Sequence, residues 1–348
     1  MNKRTILVTG GAGFIGSSIC FHLRENYPSL TVLALDNLSR KGAEYNIPRF
    51  RKAGIGFIHA DIRCREDLRL KGNIDALIEC SAEPSVMAGY GNNPESIIAV
   101  NLTGALNCFE LAREKGADII FLSSSRVYPY AALNALPYRE TATRYEWLGG
   151  HGRGIDTDFP LNGSRTLYGA TKLAAEQILL EYTTQFPLRG VINRCGVVAG
   201  PWQFGKADQG VFTFWLMAHM NKSPLSYIGF GGSGKQVRDV LHVLDLCRLI
   251  AVQLEDMDRG NGKIFNAGGG PVNSLSLCET TELCRELTGA TIPIGQVRDE
   301  RPGDVRVYCT DNRAVTETFG WKPEKNASGT LQDIHAWLSS HEYLLEQS

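Results

Sequence analysis

The sequence predicts an α/β protein, a doubly wound parallel sheet with a smaller C-terminal cap. Short apolar runs alternate with helical patterns through the first half of the chain. A glycine-rich turn follows the first of those runs, and beyond Gly200 the alternation gives way to shorter elements and more loops. Apolar runs without polar alternation suit strands buried on both faces, the environment of a parallel sheet between two helical layers.

The first strand is expected at Thr5–Thr9, with an amphipathic helix over Ile15–Glu25. Strands follow at Thr31–Asp36, Phe57–Ala60, Ala76–Cys80 and Ile119–Ser123, with a helix over Ile97–Lys115 before the last of them. A helix at Tyr168–Phe186 and a strand at Gly190–Val198 continue the series. The later part is expected to hold helices at Leu275–Thr288 and Leu331–Ser339. This divides the chain into a dinucleotide-binding domain, residues 1–190 and about 236–262, and a cap, about 191–235 and 263–348. No repeat or low-complexity linker separates them, so the cap is expected to pack on the sheet and complete a cleft.

At 348 residues, 43% hydrophobic and 21% charged, the composition is that of an ordinary globular chain. A net charge of -1 gives no electrostatic reason to expect nucleic acid or an anionic membrane as partner. Nine cysteines occur without a CxxC pair, which suits a reducing compartment better than a disulfide framework or a zinc site, and no metal is expected. No apolar run is long enough to span a bilayer. The strand at Thr5 leaves no room for a signal peptide, so a cytoplasmic location is expected.

After the first strand comes Gly10-Gly11-Ala12-Gly13-Phe14-Ile15-Gly16. Gly10 permits a tight strand-to-helix turn, Gly13 lets backbone approach a pyrophosphate, and Gly16 lets helix pack on strand. The helix N-terminus presents N–H groups and a positive dipole to the phosphates. Asp36, about 20 residues beyond the turn, ends the second strand where a carboxylate binds the adenosine ribose. That carboxylate repels a 2′-phosphate, so NAD is favoured over NADP, although Arg40 and Lys41 lie nearby. Asp61-Ile62 follow the third strand at the expected adenine edge, and Asp61 reads equally as a helix N-cap.

Tyr168 and Lys172 stand four apart at the start of a helix, which puts both side chains on one face. A free phenol has a pKa of about 10 and is a poor base at neutral pH. A nearby ammonium favours the phenolate, which can then take a proton from a sugar hydroxyl. Ser123-Ser124-Ser125 closes the fifth strand at its C-terminal end, the edge where open parallel sheets bind ligands. A hydroxyl there can hydrogen-bond a substrate oxygen.

With these residues the chain resembles the extended short-chain dehydrogenase/reductase family over nearly its whole length, which implies a Rossmann-type fold with bound NAD. The resemblance implies Ser124, Tyr168 and Lys172 as catalytic residues, with Ser124 four before Tyr128 in Ser-x-x-Val-Tyr. It implies that Asn101, in Val-Asn-Leu-Thr-Gly, supports the lysine through water, and that Asn37, Ser39, Arg40, Ser81 and Ala82 join the cofactor site. Family dehydratases place acids directly after the catalytic hydroxyl, whereas Ser125 and Arg126 stand here. Family 4-epimerases carry an asparagine in Arg-Tyr-Phe-Asn, whereas this chain reads Arg194-Cys195-Gly196-Val197.

Within the family, the chain is similar to the CDP-tyvelose epimerase subgroup, which inverts C2 of a CDP-linked sugar. Asp36-Asn37-Leu38-Ser39-Arg40-Lys41-Gly42, Asp208-Gln209-Gly210, Gly234-Lys235-Gln236-Val237-Arg238-Asp239 and Asn273-Ser274-Leu275-Ser276-Leu277 carry that similarity. So does the long segment between Ser124 and Tyr168, with Leu136-Pro137 and Glu140-Thr141. The subgroup's threonine-Asn-Lys appears here as Ser124-Ser125-Arg126, which keeps the hydroxyl and changes its neighbours. By resemblance the partner is a nucleotide-sugar, a CDP-sugar above others, bound by Ser124, Ser125, Gln209, Arg238 and Arg301. Arg238 and Arg301 are matched to a diphosphate clamp, with interdomain ion pairs as the alternative. A homodimer or homotetramer is implied, joined through the helices near Asn101 and Tyr168. His242, in Val-Leu-His-Val, is expected to be a core or cap histidine. Trp202, Phe204 and Trp215 either line the cleft or fill the cap core.

Overall fold

A computed structural model describes residues 3–90, 93–205 and 209–341; Asp208, quoted above, lies outside the described residues. Seven strands form one parallel sheet: β1 (Thr5–Thr9), β2 (Thr31–Asp36), β3 (Gly56–His59), β4 (Ala76–Glu79), β5 (Asp118–Ser124), β6 (Gly190–Cys195) and β7 (Lys263–Ala267). Their order is β7-β6-β5-β4-β1-β2-β3, so the winding reverses beside β1, where doubly wound sheets bind ligands. The expected Rossmann-type fold is the observed one.

Residues alternate between the two faces of this sheet. Ile6 and Val8 of β1, with Val32 and Ala34 of β2, pack on Ile19 and Leu23 of the Phe14–Asn26 helix and on Leu246, Leu249 and Ile250 of the Val243–Glu255 helix. Leu7, Leu35, Leu77, Ile119 and Phe121 face the other way, onto Phe109 and Leu111 of the Ala105–Lys115 helix and Leu179 of the Leu167–Gln185 helix. Each of the larger of these side chains contributes about 1.5–3 kcal/mol by leaving water. Every strand from β1 to β5 starts and ends within one residue of its expected span.

Two segments expected in the cap, 191–195 and 263–267, belong to the sheet as β6 and β7. Conversely, Val237–His242 joins a second, small sheet, pairing with Val197–Ala199, Ser274–Ser276 and Val307–Tyr308. The chain changes sheets at Gly196, which splits the expected Gly190–Val198 strand. Its N–H donates to Ala267 O at 2.8 Å, and a Cβ there would meet Asp239 Oδ1 at 3.0 Å. The expected helix over Ile97–Lys115 is also interrupted, by a π-helical turn over Ala99–Gly104.

The expected cap helices form at Leu277–Thr288, opened by a Ser276–Glu279 capping box, and at Ala327–Ser339, capped by Asn326. Leu331, Ile334 and Trp337 pack on Phe212, Trp215 and Leu216 to make the cap core. Among the described residues no helix is long and apolar enough to cross a membrane, and no His, Cys, Asp and Glu cluster could hold a metal ion.

Candidate active site

A cleft of about 900 Å³ runs along the C-terminal edge of the sheet, between it and the cap. At one end lies the glycine turn. Gly10 has φ +61, a conformation that other residues resist, and its carbonyl accepts the Gly13 N–H at 3.0 Å. A Cβ on Gly16 would stand 2.2 Å from Gly10 O, which closes that position to any side chain. Gly11 proves equally tight, since a Cβ there would meet Val8 O at 2.6 Å. At Gly13 the added Cβ would meet only Gly10 O, at 3.2 Å, and would otherwise project into open space. No side chain caps the helix that begins at Phe14, so its first N–H groups face the cleft. This cradle fits the pyrophosphate of a dinucleotide. Gly16→Ala is expected to lose the cofactor, read as the NAD recovered from the denatured protein.

Asp36 is held at the end of β2 by two backbone donors, Ala12 N–H at 3.1 Å and Leu38 N–H at 2.8 Å. Burial pushes its carboxyl up and these bonds pull it back. Asn37 donates to Asp61 Oδ2 at 2.9 Å, joining the two acidic positions along the cleft rim. Asp61 accepts from its own turn, Arg63 N–H at 2.9 Å, and pairs with the Arg63 guanidinium at 2.6 Å. Those bonds hold its carboxyl well below the usual range. Ile62, Ser39, Ser81 and Ala82 line the same end, and Arg40 bonds across the cleft to Gln209 Oε1.

Asn101 lies in the π-helical turn and is fully buried. Its Oδ1 accepts the Glu83 N–H at 2.7 Å and its Nδ2 donates to Glu83 O at 3.1 Å, so it pins the loop after β4 as a strand would. A Cβ on Gly104 would meet the Ile62 side chain at 2.5 Å, so the turn also packs closely on the loop after β3. Turns of this kind concentrate at functional sites.

Ser124, Tyr168 and Lys172 all line this cleft. Ser124 Oγ accepts the Arg126 N–H at 3.1 Å, which leaves its own proton to donate. The Tyr168 helix starts at Thr166, whose hydroxyl accepts the Gly169 N–H at 3.3 Å. A Cβ on Gly169 would lie 2.0 Å from Arg126 O, so glycine after Tyr168 is what lets this helix approach the serine turn. Lys172 is buried and donates to Leu122 O at 3.0 Å, with its Nζ 3.8 Å from Glu79 Oε2. Sequence reasoning missed Glu79; the signal available was a charged residue ending the apolar run Ala76–Ile78.

On the cap side, Arg238 donates to Asp304 Oδ1 at 2.5 Å and to Val237 O at 2.7 Å while lining the cleft, so the ion-pair alternative is present in the structure. Arg301, Ser125 and Gln209 line the same cleft. Arg126, also unassigned from sequence, bonds Gly303 O at 3.2 Å. Loss of water, with Arg238 beside it, holds its guanidinium down to about 10. Trp202, Phe204 and Trp215 do both things expected of them, lining the cleft and packing in the cap core. His242 is 1% exposed, and its Nδ1 accepts the Leu244 N–H at 3.0 Å as a helix cap.

Residues 6–268 match the NAD dependent epimerase/dehydratase family. The chain belongs to this family. It is therefore an NAD-dependent enzyme, and NAD is the dinucleotide that the glycine cradle and Asp36 fit. CDP-paratose 2-epimerase of Salmonella typhi is 33% identical, over 96% of this chain and 99% of that protein. UDP-glucose 4-epimerase of Corynebacterium glutamicum is 27% identical, over 96% of each. Among solved structures, UDP-glucuronic acid 4-epimerase from Bacillus cereus, in complex with UDP-glucuronic acid and NAD, shares the fold with a TM-score of 0.80 at 22% identity, covering 97% of this chain and 99% of that one.

Proposed function

We propose that the protein inverts C2 of a CDP-linked sugar, interconverting CDP-paratose and CDP-tyvelose, with NAD retained throughout. The observation that carries this reading is the end-to-end similarity to CDP-paratose 2-epimerase, supported by a cleft lined by Ser124, Tyr168, Lys172 and the glycine turn. NAD would be held by the Gly10–Gly16 turn, Asp36, Asn37, Asp61 and Ile62 at one end, and by Ser81, Ala82 and Lys172 towards the other. When bound, it supplies an acceptor for the hydride on the sugar carbon and the donor that returns it.

The residues of this chain move the proton and place the sugar. Tyr168 takes the C2 hydroxyl proton at its phenolic oxygen as the carbon becomes a ketone, and gives it back after the ketone has turned over. Lys172 stands one helical turn away on the same helix, within the same cleft. Ser124 directs its free proton to the same substrate oxygen. Arg238 and Arg301 hold the diphosphate, for which a guanidinium fork is well shaped. The aromatic wall of Trp202, Phe204 and Trp215 excludes water from the oxidised sugar. Ser125 and Arg126 follow Ser124 where a dehydratase would need an acid, which favours epimerisation over elimination.

A second reading, C4 epimerisation of a UDP-sugar, draws on the relatives at 27% identity and above that carry that name. Against it, Arg194-Cys195-Gly196-Val197 stands where those enzymes carry Arg-Tyr-Phe-Asn, so Val197 occupies the asparagine position. Proton NMR of the purified protein with CDP-paratose and no added cofactor distinguishes the two. Inversion of the C2 proton signal is expected. No conversion of CDP-paratose, together with interconversion of UDP-glucose and UDP-galactose, would establish the second reading instead.

A further inference from the structure

Glu79 closes β4 with a carboxyl that is 0% exposed. Its Oε1 accepts the Ser81 N–H at 2.9 Å. Its Oε2 has no hydrogen-bond partner and lies 3.8 Å from Lys172 Nζ, itself 2% exposed. The ammonium is held on its remaining sides by Leu122 O at 3.0 Å and the face of Phe121 at 4.6 Å. Glu176, one turn beyond Lys172 on the same helix, is committed elsewhere, to Arg194 and Ser123. A buried carboxyl with an unsatisfied oxygen is costly, and an apolar residue of similar size would hold a strand end at least as well. The group that a carboxylate here can serve is the lysine in front of it.

The titratable groups facing this pair come from three further elements. Cys80 follows Glu79 in the chain, Cys108 faces it from the Ala105–Lys115 helix, and Cys195 faces Lys172 from β6. Burial pushes all three thiols up; it pushes the Glu79 carboxyl up too, but there Lys172 pulls it back, so Glu79 is the group placed to counter the lysine's charge. Without it, the Lys172 ammonium would stand in this apolar setting with no carboxylate facing it.

We infer that Glu79 is a positioning residue, a buried carboxylate behind Lys172 that keeps the ammonium charged and anchored at the end of β5. The inference rests on the assignment of Tyr168 and Lys172 as the proton-transfer pair. It is tested on the NAD-bound protein carrying lysine labelled with 13C, the Lys172 signal being identified by its loss in Lys172→Met. In Glu79→Gln the Lys172 titration midpoint is expected to fall by about one pH unit or more, while Glu79→Asp, which keeps the charge, restores part of the shift. In turnover the alkaline limb of kcat moves to lower pH with KM little changed. A Lys172 midpoint unmoved in both variants overturns the inference. The labelled titration needs no sugar substrate, so it stands or falls apart from the C2 assignment: a wild-type protein idle on CDP-paratose sinks that assignment and leaves the Glu79 result readable. Should Glu79→Gln fail to fold, Glu79→Met removes the charge instead, and a Lys172 midpoint equal to the wild-type value there overturns the inference.

Discussion

Tyr168→Phe is expected to lower the turnover of the proposed epimerisation by about 10²–10⁴-fold, the range that a positioned general base contributes. NAD content and thermal stability should stay at wild-type levels. The change removes one oxygen from a side chain on the cleft wall and leaves the helix intact, because the local construction depends on other groups. Thr166 caps the helix, and Gly169 sets its distance from the Ser124 turn. Lys172→Met is a poorer test of the same chemistry. It would strip the partner from a buried Glu79 and confound lost catalysis with lost stability. Turnover unchanged in Tyr168→Phe would remove the phenol from the mechanism, and with it the reason for the lysine one turn away.

The parts of this site that could be read from sequence are those whose geometry is local. Gly10, Gly13 and Gly16 report one turn, Tyr168 and Lys172 report one helical face, and Asp36 and Ser124 report strand ends; an element type and a spacing suffice for each. The parts that escaped depend on residues distant in sequence. Lys172 meets Glu79 because β4 lies beside β5, and Gly169 meets Arg126 because the helix returns over the serine turn. The Ile97–Lys115 pattern could not reveal that Asn101 bends its helix to hold Glu83, since the partner lies in a loop. The same logic explains β7. Lys263–Ala267 is short, opens on a charged residue and pairs with β6 alone, so it lacks the apolar signature of the inner strands. Val237–His242, with Arg238 and Asp239 inside it, is no more apolar than Lys263–Ala267, yet belongs to the small sheet that closes the cleft. Hydrophobic runs identify strands, but they do not say which sheet a strand joins.

Arg194→Met is expected to destabilise the protein by about 3–5 kcal/mol, the cost of leaving one member of a buried ion pair alone. Arg194 is 2% exposed in β6, and Glu176 is fully buried on the Tyr168 helix. They meet through Nη2 to Oε2 at 2.8 Å and Nε to both carboxylate oxygens at 3.1 Å. Around them Ser123 donates to Glu176, while Arg194 reaches Tyr128 at 3.2 Å and Tyr128 donates to Asn266 at 2.8 Å. The network thus ties β5, β6, β7 and the helix that bears Tyr168 and Lys172 to one another. Removing the guanidinium strands a carboxylate with no water to receive it, whereas removing both charges leaves nothing to strand. The double variant Arg194→Met with Glu176→Leu should therefore recover most of the loss in the unfolding midpoint of the NAD-bound protein. Recovery of stability without recovery of turnover would mean that the pair also aims the helix, since an apolar contact can replace its energy but not its directed bonds. A double variant no more stable than Arg194→Met alone would show that packing volume, and not the stranded charge, sets the cost.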